Sequence, residues 1–264
     1  MRFSEHLKKA SLVGAFFVSV FFSLQAQALC PVSGPLPSAK VATVIDGDTL
    51  RLVDGRRVRL IGVNAPEVGR KGRSAEPFAE AAKRRLQALV NASGGRVGLR
   101  LGQEASDHYG RLLAHAFDSH GENLEAVLLA EGLGFFVAIA PNTLLADCHL
   151  AVEQQARLAG KGVWHQPPIT SAERLRRGGF ALVRARVDRL ETNRGGVWLE
   201  LDGPLVIQVP REAVASFADS LKDLPGKQVE ARGWVIDRKG RADLSRQARW
   251  LLRASHPSML VPLP

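Results

Sequence analysis

The stretch VIDGDTLRLVDGRRVRLIGVNAPE, from Val44 to Glu67, admits few folds. Apolar and polar residues alternate through segments 41–45, 49–53 and 57–63, and Asp-Gly turns separate them. Side chains of a strand alternate between two faces and Asp-Gly favours chain reversal, so the pattern specifies a short antiparallel meander. Leu50, Leu52, Val58 and Leu60 then point into a core, while Arg57 and Arg59 point outward. The same stretch carries acids at Asp46, Asp48 and Glu67 and a neutral Asn64. Acids gathered among arginines at a surface mark a place where something charged is held.

Beyond the meander, Ser74 is expected to cap a helix running to about Val90, with Phe78, Ala82, Leu86 and Leu89 on its inner face. Lys83, Arg84 and Arg85 fall on its solvated face. Strands are expected near 97–101 and 112–117, and helices near 123–131 and 144–160. WHQPPITSAERLRRGG then reads as a connection. After it, strands are expected near 180–190, 197–201, 204–209 and 227–236, with a helix near 211–222. The fold class is therefore mainly β with attached helices (α+β), in two small bodies: 29–166 and 179–264, joined by a linker at 167–178.

Residues 1–28 stand apart. MRFSEHLKK is a charged lead, ASLVGAFFVSVFFSL an apolar run, and AQA a small-x-small cleavage pattern, together a signal peptide. The apolar run is shorter than the ~20 residues needed to span a bilayer, so export, periplasmic or secreted, is expected over anchoring. In such a compartment the two cysteines, Cys30 and Cys148, read as a disulfide rather than as free thiols or a zinc site. The formal net charge is +10 over the whole chain and stays positive without the leader, most of it beyond residue 169. An anionic partner, nucleic acid or membrane surface, suits that balance.

Asp46 and Asp48 flank Gly47, so two carboxylates project from one tight turn, and Glu67 returns from the end of a later strand. Oxygen donors so grouped suit a hard cation such as calcium. DHYGR adds Asp107 and Arg111 at the mouth of another strand. Acids plus the two arginines, Arg59 and Arg111, form the inventory of metal-assisted phosphodiester hydrolysis, against which stand plain turn-capping acids and surface ion pairs. The loop VGRKGRSAE, with Arg70, Lys71 and Arg73, either guides a substrate backbone or merely solubilises the surface. His108, His115, His149 and His165 share no ligand spacing and read as surface or core residues.

VIDGDT, RLIGVNAPE, DHYGR, EAVLLAEGLG and AVEQQARLAGKGVW resemble, in order, the motifs of the staphylococcal nuclease family over roughly residues 40 to 165. The resemblance implies an OB-fold five-stranded barrel with packed helices and calcium-dependent cleavage of DNA and RNA to 3'-phosphate ends. It implies Asp48 as direct metal ligand, the Ala65 carbonyl as a backbone ligand, and Asp46 as a nearby acid acting partly through water. Glu67 resembles the general base or water-orienting residue, Arg59 and Arg111 the phosphate-clamping arginines, and Asp107 and Tyr109 residues that shape the substrate side. Asn64 departs from the pattern, standing where the founding member has a second ligand aspartate. Its amide oxygen can coordinate but brings no charge, so weaker calcium binding or another divalent ion is expected.

The second segment resembles small OB-like domains attached to exported members of that family. There Trp198 and Trp234, with the arginines around them, either stack and clamp a single strand or belong to core and solvated surface. The rival to a nuclease is a noncatalytic nucleic-acid-binding protein on a nuclease-like barrel, and a third class is an envelope protein binding an anionic polymer.

Overall fold

A computed structural model describes residues 28–69, 72, 74–239 and 248–264. The signal peptide expected at 1–28 lies outside the described residues except for its last position, as do Arg70, Lys71 and Arg73.

Strands β1 (Ser38–Asp46), β2 (Thr49–Leu52) and β3 (Arg57–Leu60) form the expected meander. They close into a five-stranded barrel with β5 (Arg96–Ser106) and β6 (Leu112–Phe117) in the ring order β1-β2-β3-β6-β5. Every neighbouring pair is antiparallel except β3 and β6. Leu50, Leu52, Val58 and Leu60 are buried in its core, as the alternation requires. The Asp46–Asp48 turn sits against helix α1 (Ala79–Ala92), and glycine is needed there for space: a Cβ on Gly47 would lie 2.6 Å from the Cβ atoms of both Ala65 and Ala82.

Helix α1 starts later than its sequence suggests. Ser74 does not cap it; Phe78 does, in the left-handed region at φ 68°, and its side chain is exposed rather than core-facing. The reason lies one turn upstream. Glu76 is bonded twice to Glu67, its N–H donating to the Glu67 carbonyl and its carboxylate accepting the Glu67 N–H, both at 3.0 Å, so residues 74–78 serve the loop and not the helix. Arg85, expected in solvent, pairs at 2.7 Å with Glu131, which follows helix α2 (Leu124–Ala130).

A short pair, β4 (Val63–Asn64) with β7 (Phe135–Phe136), and helix α3 (Ala146–Leu158) complete the first body. Cys30 is paired with Cys148 on α3, their Cα atoms 5.7 Å apart. No helix among the described residues is long and apolar enough to cross a membrane.

The second body repeats the first's topology. Strands β9 (Gly179–Asn193), β10 (Gly196–Leu201), β11 (Leu205–Pro210), β12 (Gln228–Asp237) and β13 (Trp250–Arg253) pair as β9-β10-β11-β13-β12 and back to β9. Again one pair, β11 with β13, is parallel. A 3-10 stretch at Arg211–Leu221 stands between β11 and β12, where α1 stands in the first ring. Both bodies are thus OB-like barrels.

Segment 167–178, expected to be a linker, is built into this second body. Within it, β8 (Ile169–Ser171) runs parallel to β9, and Ala172 and Leu175 are buried in the core. The anchor is apolar: Ile169 packs with Phe135, Trp164, Leu182 and Phe180, a cluster drawn from both barrels. Strand β14 (Leu260–Pro262) adds to β12.

The seam between the barrels also carries buried charge. Arg232 on β12 reaches Glu153 on α3 at 2.6 Å and donates to the Phe136 carbonyl at 3.2 Å. Arg157 forks onto Glu230 at 2.6 and 2.7 Å, and Arg184 joins at 3.0 Å. Burial pulls the Glu230 carboxyl upward, but these guanidinium groups hold it below its ordinary range.

Candidate active site

The acids come together as the hairpin demands. Asp48 is buried, with one oxygen accepting the Thr49 hydroxyl at 2.9 Å and the other the Ala65 N–H at 2.9 Å. The Asp48 N–H lies 3.3 Å from the Asp46 carboxylate. Burial, then the neighbouring Asp48 charge, pushes the Asp46 carboxyl up to about 6. Two carboxylates crowded at a half-buried turn are a site with an excess of negative charge.

Arg59 answers part of that excess. β3 pairs with β2 so that Arg59 lies opposite Thr49, and its Nη2 reaches Asp48 at 3.1 Å and the Asn64 amide oxygen at 3.2 Å. Nη1 donates to the carbonyls of Leu60 and Val63 at 2.6 and 2.7 Å, so the guanidinium is fixed by backbone on one side and by the oxygen donors on the other. Asn64 brings an uncharged amide oxygen to Arg59. Ala65 shows its N–H donation to Asp48. Among the described residues, no three His, Cys, Asp or Glu side chains form a ready-made metal cluster. The oxygens present are those of two aspartates and an amide.

Across from this group, the parallel pairing of β3 with β6 sets the start of β6 beside Arg59, and Arg111 immediately precedes β6. Arg111 Nε donates to Asp107 at 2.7 Å, and the N–H groups of Tyr109 and Arg111 donate to the other Asp107 oxygen, each at 2.9 Å. Burial pulls the Asp107 carboxyl up, but these donors outweigh it and hold it below the ordinary carboxylate range. Asp107 therefore orients Arg111, whose guanidinium stands 5.5 Å from the Tyr109 ring centre. Arg59, Arg111, Asp107 and Tyr109 line one cavity of about 470 Å³, within the range of ligand-binding clefts.

Glu67 lies on the exposed loop after β4 and is fixed through its backbone by Glu76. Glu76 was not singled out in the sequence, although an acid three residues before the helix could have flagged it as a loop anchor. Thr49, the hydroxyl partner of Asp48, was also overlooked. Trp198 is half-buried with its Nε1 donating to Asn193 at 2.9 Å, whereas Trp234 lines the same cavity as the arginines.

His149 packs behind the site. A Cβ on Gly62, which has φ +89°, would lie 2.2 Å from its Nδ1, and its Nε2 is 2.8 Å from the Asn123 side-chain oxygen. Burial, then the charge of nearby His115, pushes its pKa down to about 3. Between pH 6.5 and 3 the unfolded chain binds a proton that the folded chain refuses, so this group withdraws stability as pH falls through that window and is neutral above it. Urea denaturation at pH 7 and pH 4 should show a smaller acid-induced loss in His149→Asn than in wild type, and an equal loss would contradict this account.

The match to known proteins falls on the same residues. A family model described as staphylococcal nuclease homologue matches residues 57–166. "Endonuclease YncB" of Bacillus subtilis (strain 168) is 33% identical over 125 residues, covering 46% of this chain and 58% of that protein. "SPbeta prophage-derived endonuclease YokF" of the same organism is 30% identical over 125 residues, covering 46% of this chain and 41% of that protein. The chain thus spans about half the length of these two relatives. "Thermonuclease" of Staphylococcus intermedius is 32% identical over 130 residues, covering 48% of this chain and 75% of that protein. With the barrel, the paired arginines and the Asp-Gly-Asp turn in place, the chain belongs to the staphylococcal nuclease family.

Proposed function

We propose that the chain is an exported nuclease that hydrolyses phosphodiester bonds of DNA and RNA with the help of a divalent cation, calcium foremost, leaving 3'-phosphate ends. One observation carries this reading: two guanidinium groups, each held rigid by acceptors of its own, face one cavity next to a crowded pair of carboxylates. The names of the relatives, endonucleases and a thermonuclease, support the same reaction class.

The donor set fits a hard cation by its chemistry. Asp48, Asp46 and the Asn64 oxygen are all oxygen donors, and the two carboxylates are crowded at one turn. A cation held there supplies Lewis-acid polarisation of a phosphoryl oxygen. The chain's own residues do the rest. Arg59 and Arg111 hold the phosphate oxygens and take up charge as the phosphorus becomes five-coordinate. Glu67 orients a water molecule and accepts its proton, and breakage of the bond to the 5' oxygen leaves the 3'-phosphate. Arg111 is already oriented through its Nε by Asp107, whereas Arg59 exchanges its contacts with Asp48 and Asn64 for the phosphate oxygens.

Export rests on the leader pattern of residues 1–28 and on the Cys30–Cys148 pair, which suits an oxidising compartment. The second barrel serves as an accessory domain near the substrate. A noncatalytic nucleic-acid-binding protein is the rival, favoured by Asn64 alone.

Purified chain from residue 29 onward, incubated with DNA and RNA, is expected to cleave both with calcium and neither with chelator; absent or metal-independent cleavage rejects the reading. Asn64→Asp restores a charge to the donor set, so calcium affinity is expected to rise by about tenfold. Calorimetric titration showing no gain would remove Asn64 from the metal site.

A further inference from the structure

The cavity containing Arg59 and Arg111 is not walled by the nuclease barrel alone. One wall is Trp234 of β12, contributed by the second barrel. Val137 and Ile139, from the segment after β7, line it too. Ten large apolar side chains are left exposed among the described residues, and three of them, Tyr109 (65%), Ile139 (49%) and Trp234 (38%), meet in this cavity. Scattered exposed apolar residues need no explanation, whereas three converging beside two phosphate-seeking arginines form a ligand site.

Trp234 is also held in place. Its ring stands edge-on to Phe180 at 5.5 Å, Phe180 rests on Phe135 at 5.5 Å, and Phe135 meets Trp164 at 5.4 Å. Phe135 pairs through β7 with Asn64 on β4, so this aromatic row runs from the acid site to the cavity wall. The other side is tied as well, because the Ala140 N–H donates to the Ser255 hydroxyl of the second barrel at 3.3 Å. An indole held against Phe180, part exposed, and lining one cavity with Leu60, Leu113 and Ile139 and with Arg59 and Arg111 suits one occupant: a planar aromatic group attached to a phosphate. A nucleobase has that chemistry.

We infer that Trp234 is a substrate-binding residue of the active-site cavity, stacking on the nucleobase next to the phosphate held by Arg59 and Arg111. This rests on the nuclease reading and deepens it, since the accessory barrel then completes the site of the first barrel instead of binding substrate on its own. Specificity follows: a strand whose base can leave its partner and enter the cavity is bound better than a backbone without bases.

The test compares the full chain on two single-stranded probes of equal length, an oligodeoxythymidylate and an abasic deoxyribose-phosphate strand. For Trp234→Leu, which keeps apolar bulk against Phe180 but has no aromatic face, KM on the thymidylate is expected to rise roughly 5- to 100-fold, with kcat moving less. KM on the abasic strand should hardly move, and Trp234→Phe should recover most of the loss. No change on either probe, or an equal change on both, overturns the inference while the nuclease reading stands. If wild type cleaves neither probe, the nuclease reading fails instead. Equilibrium binding of fluorescein-labelled probes in EDTA then decides: a loss confined to the thymidylate upholds stacking, and equal binding by wild type and variant overturns it.

Discussion

Glu67→Gln is expected to lower phosphodiester cleavage by ~10²- to 10⁴-fold, the usual contribution of a positioned general base. Glutamine keeps the shape and can still accept a hydrogen bond, but it cannot take a proton from water at neutral pH. The two links to Glu76 use the Glu67 backbone and are kept by the substitution. Glu67 is exposed, so the variant is expected to remain folded. Initial rates and thermal melts of the two proteins, measured side by side, check this. Unchanged cleavage would remove Glu67 from the reaction, and a large drop in melting temperature would mean that the lost rate reports structure.

The second large effect lies at the seam. Glu153→Gln removes the nearer counter-charge of buried Arg232 and leaves Glu230 at 3.7 Å, and a buried pair broken on one side typically costs up to about 3–5 kcal/mol. The charge pair itself is not the source of that stability. Burial raises the Glu153 carboxyl above its ordinary range despite Arg232 at 2.6 Å, so desolvation outweighs attraction at this site. Glu230, a few residues from Arg232 on the same strand, is shifted the other way because it is less deeply enclosed and gathers Arg157, Arg184 and Arg232. The uncharged double variant Glu153→Gln with Arg232→Met, whose amide oxygen still accepts the Phe136 N–H, should therefore recover much of the loss. Urea unfolding of the single and double variants tests this, and a single variant as stable as wild type would end the argument. The pair's contribution is then one of register, fixing which face of β12 meets α3.

Much of the first barrel was legible because its signals are local. Alternation around Asp-Gly turns placed Leu50, Leu52, Val58 and Leu60 inside, and 112–117 matched β6 in both bounds. The candidate site was legible for the same reason: Asp46, Asp48, Arg59 and Asn64 belong to one meander, and Asp107 and Arg111 to one turn. What escaped depends on contacts distant in sequence. Ser74 looks like a helix cap until Glu76 is seen bonding Glu67. Segment 167–178 reads as polar connection because Ile169, Ala172 and Leu175 are sparse among prolines and charged residues, and their burial depends on surfaces supplied by both barrels. Strand β13 lacks the apolar–polar alternation that marks β2 and β3, its Trp250, Leu251 and Leu252 all being buried, and β14 is three residues long. Trp234 could be named as a candidate stacker from sequence, but only the docking of the barrels sets it beside Arg59 and Arg111.

The Cys30–Cys148 pair has a bearing on how this protein should be produced. Cys148 lies in the first turn of α3, five residues, or ~7.5 Å of helix rise, before Glu153. The helix that tethers the N-terminal lead is thus the helix that grips the second barrel. Material made in a reducing cytoplasm is expected to lack that tether at one end of α3, leaving the Glu153 and Arg157 contacts at the other. Oxidised and reduced preparations thus differ at the helix that meets the second barrel, and the redox history of a preparation belongs beside any activity measured with it.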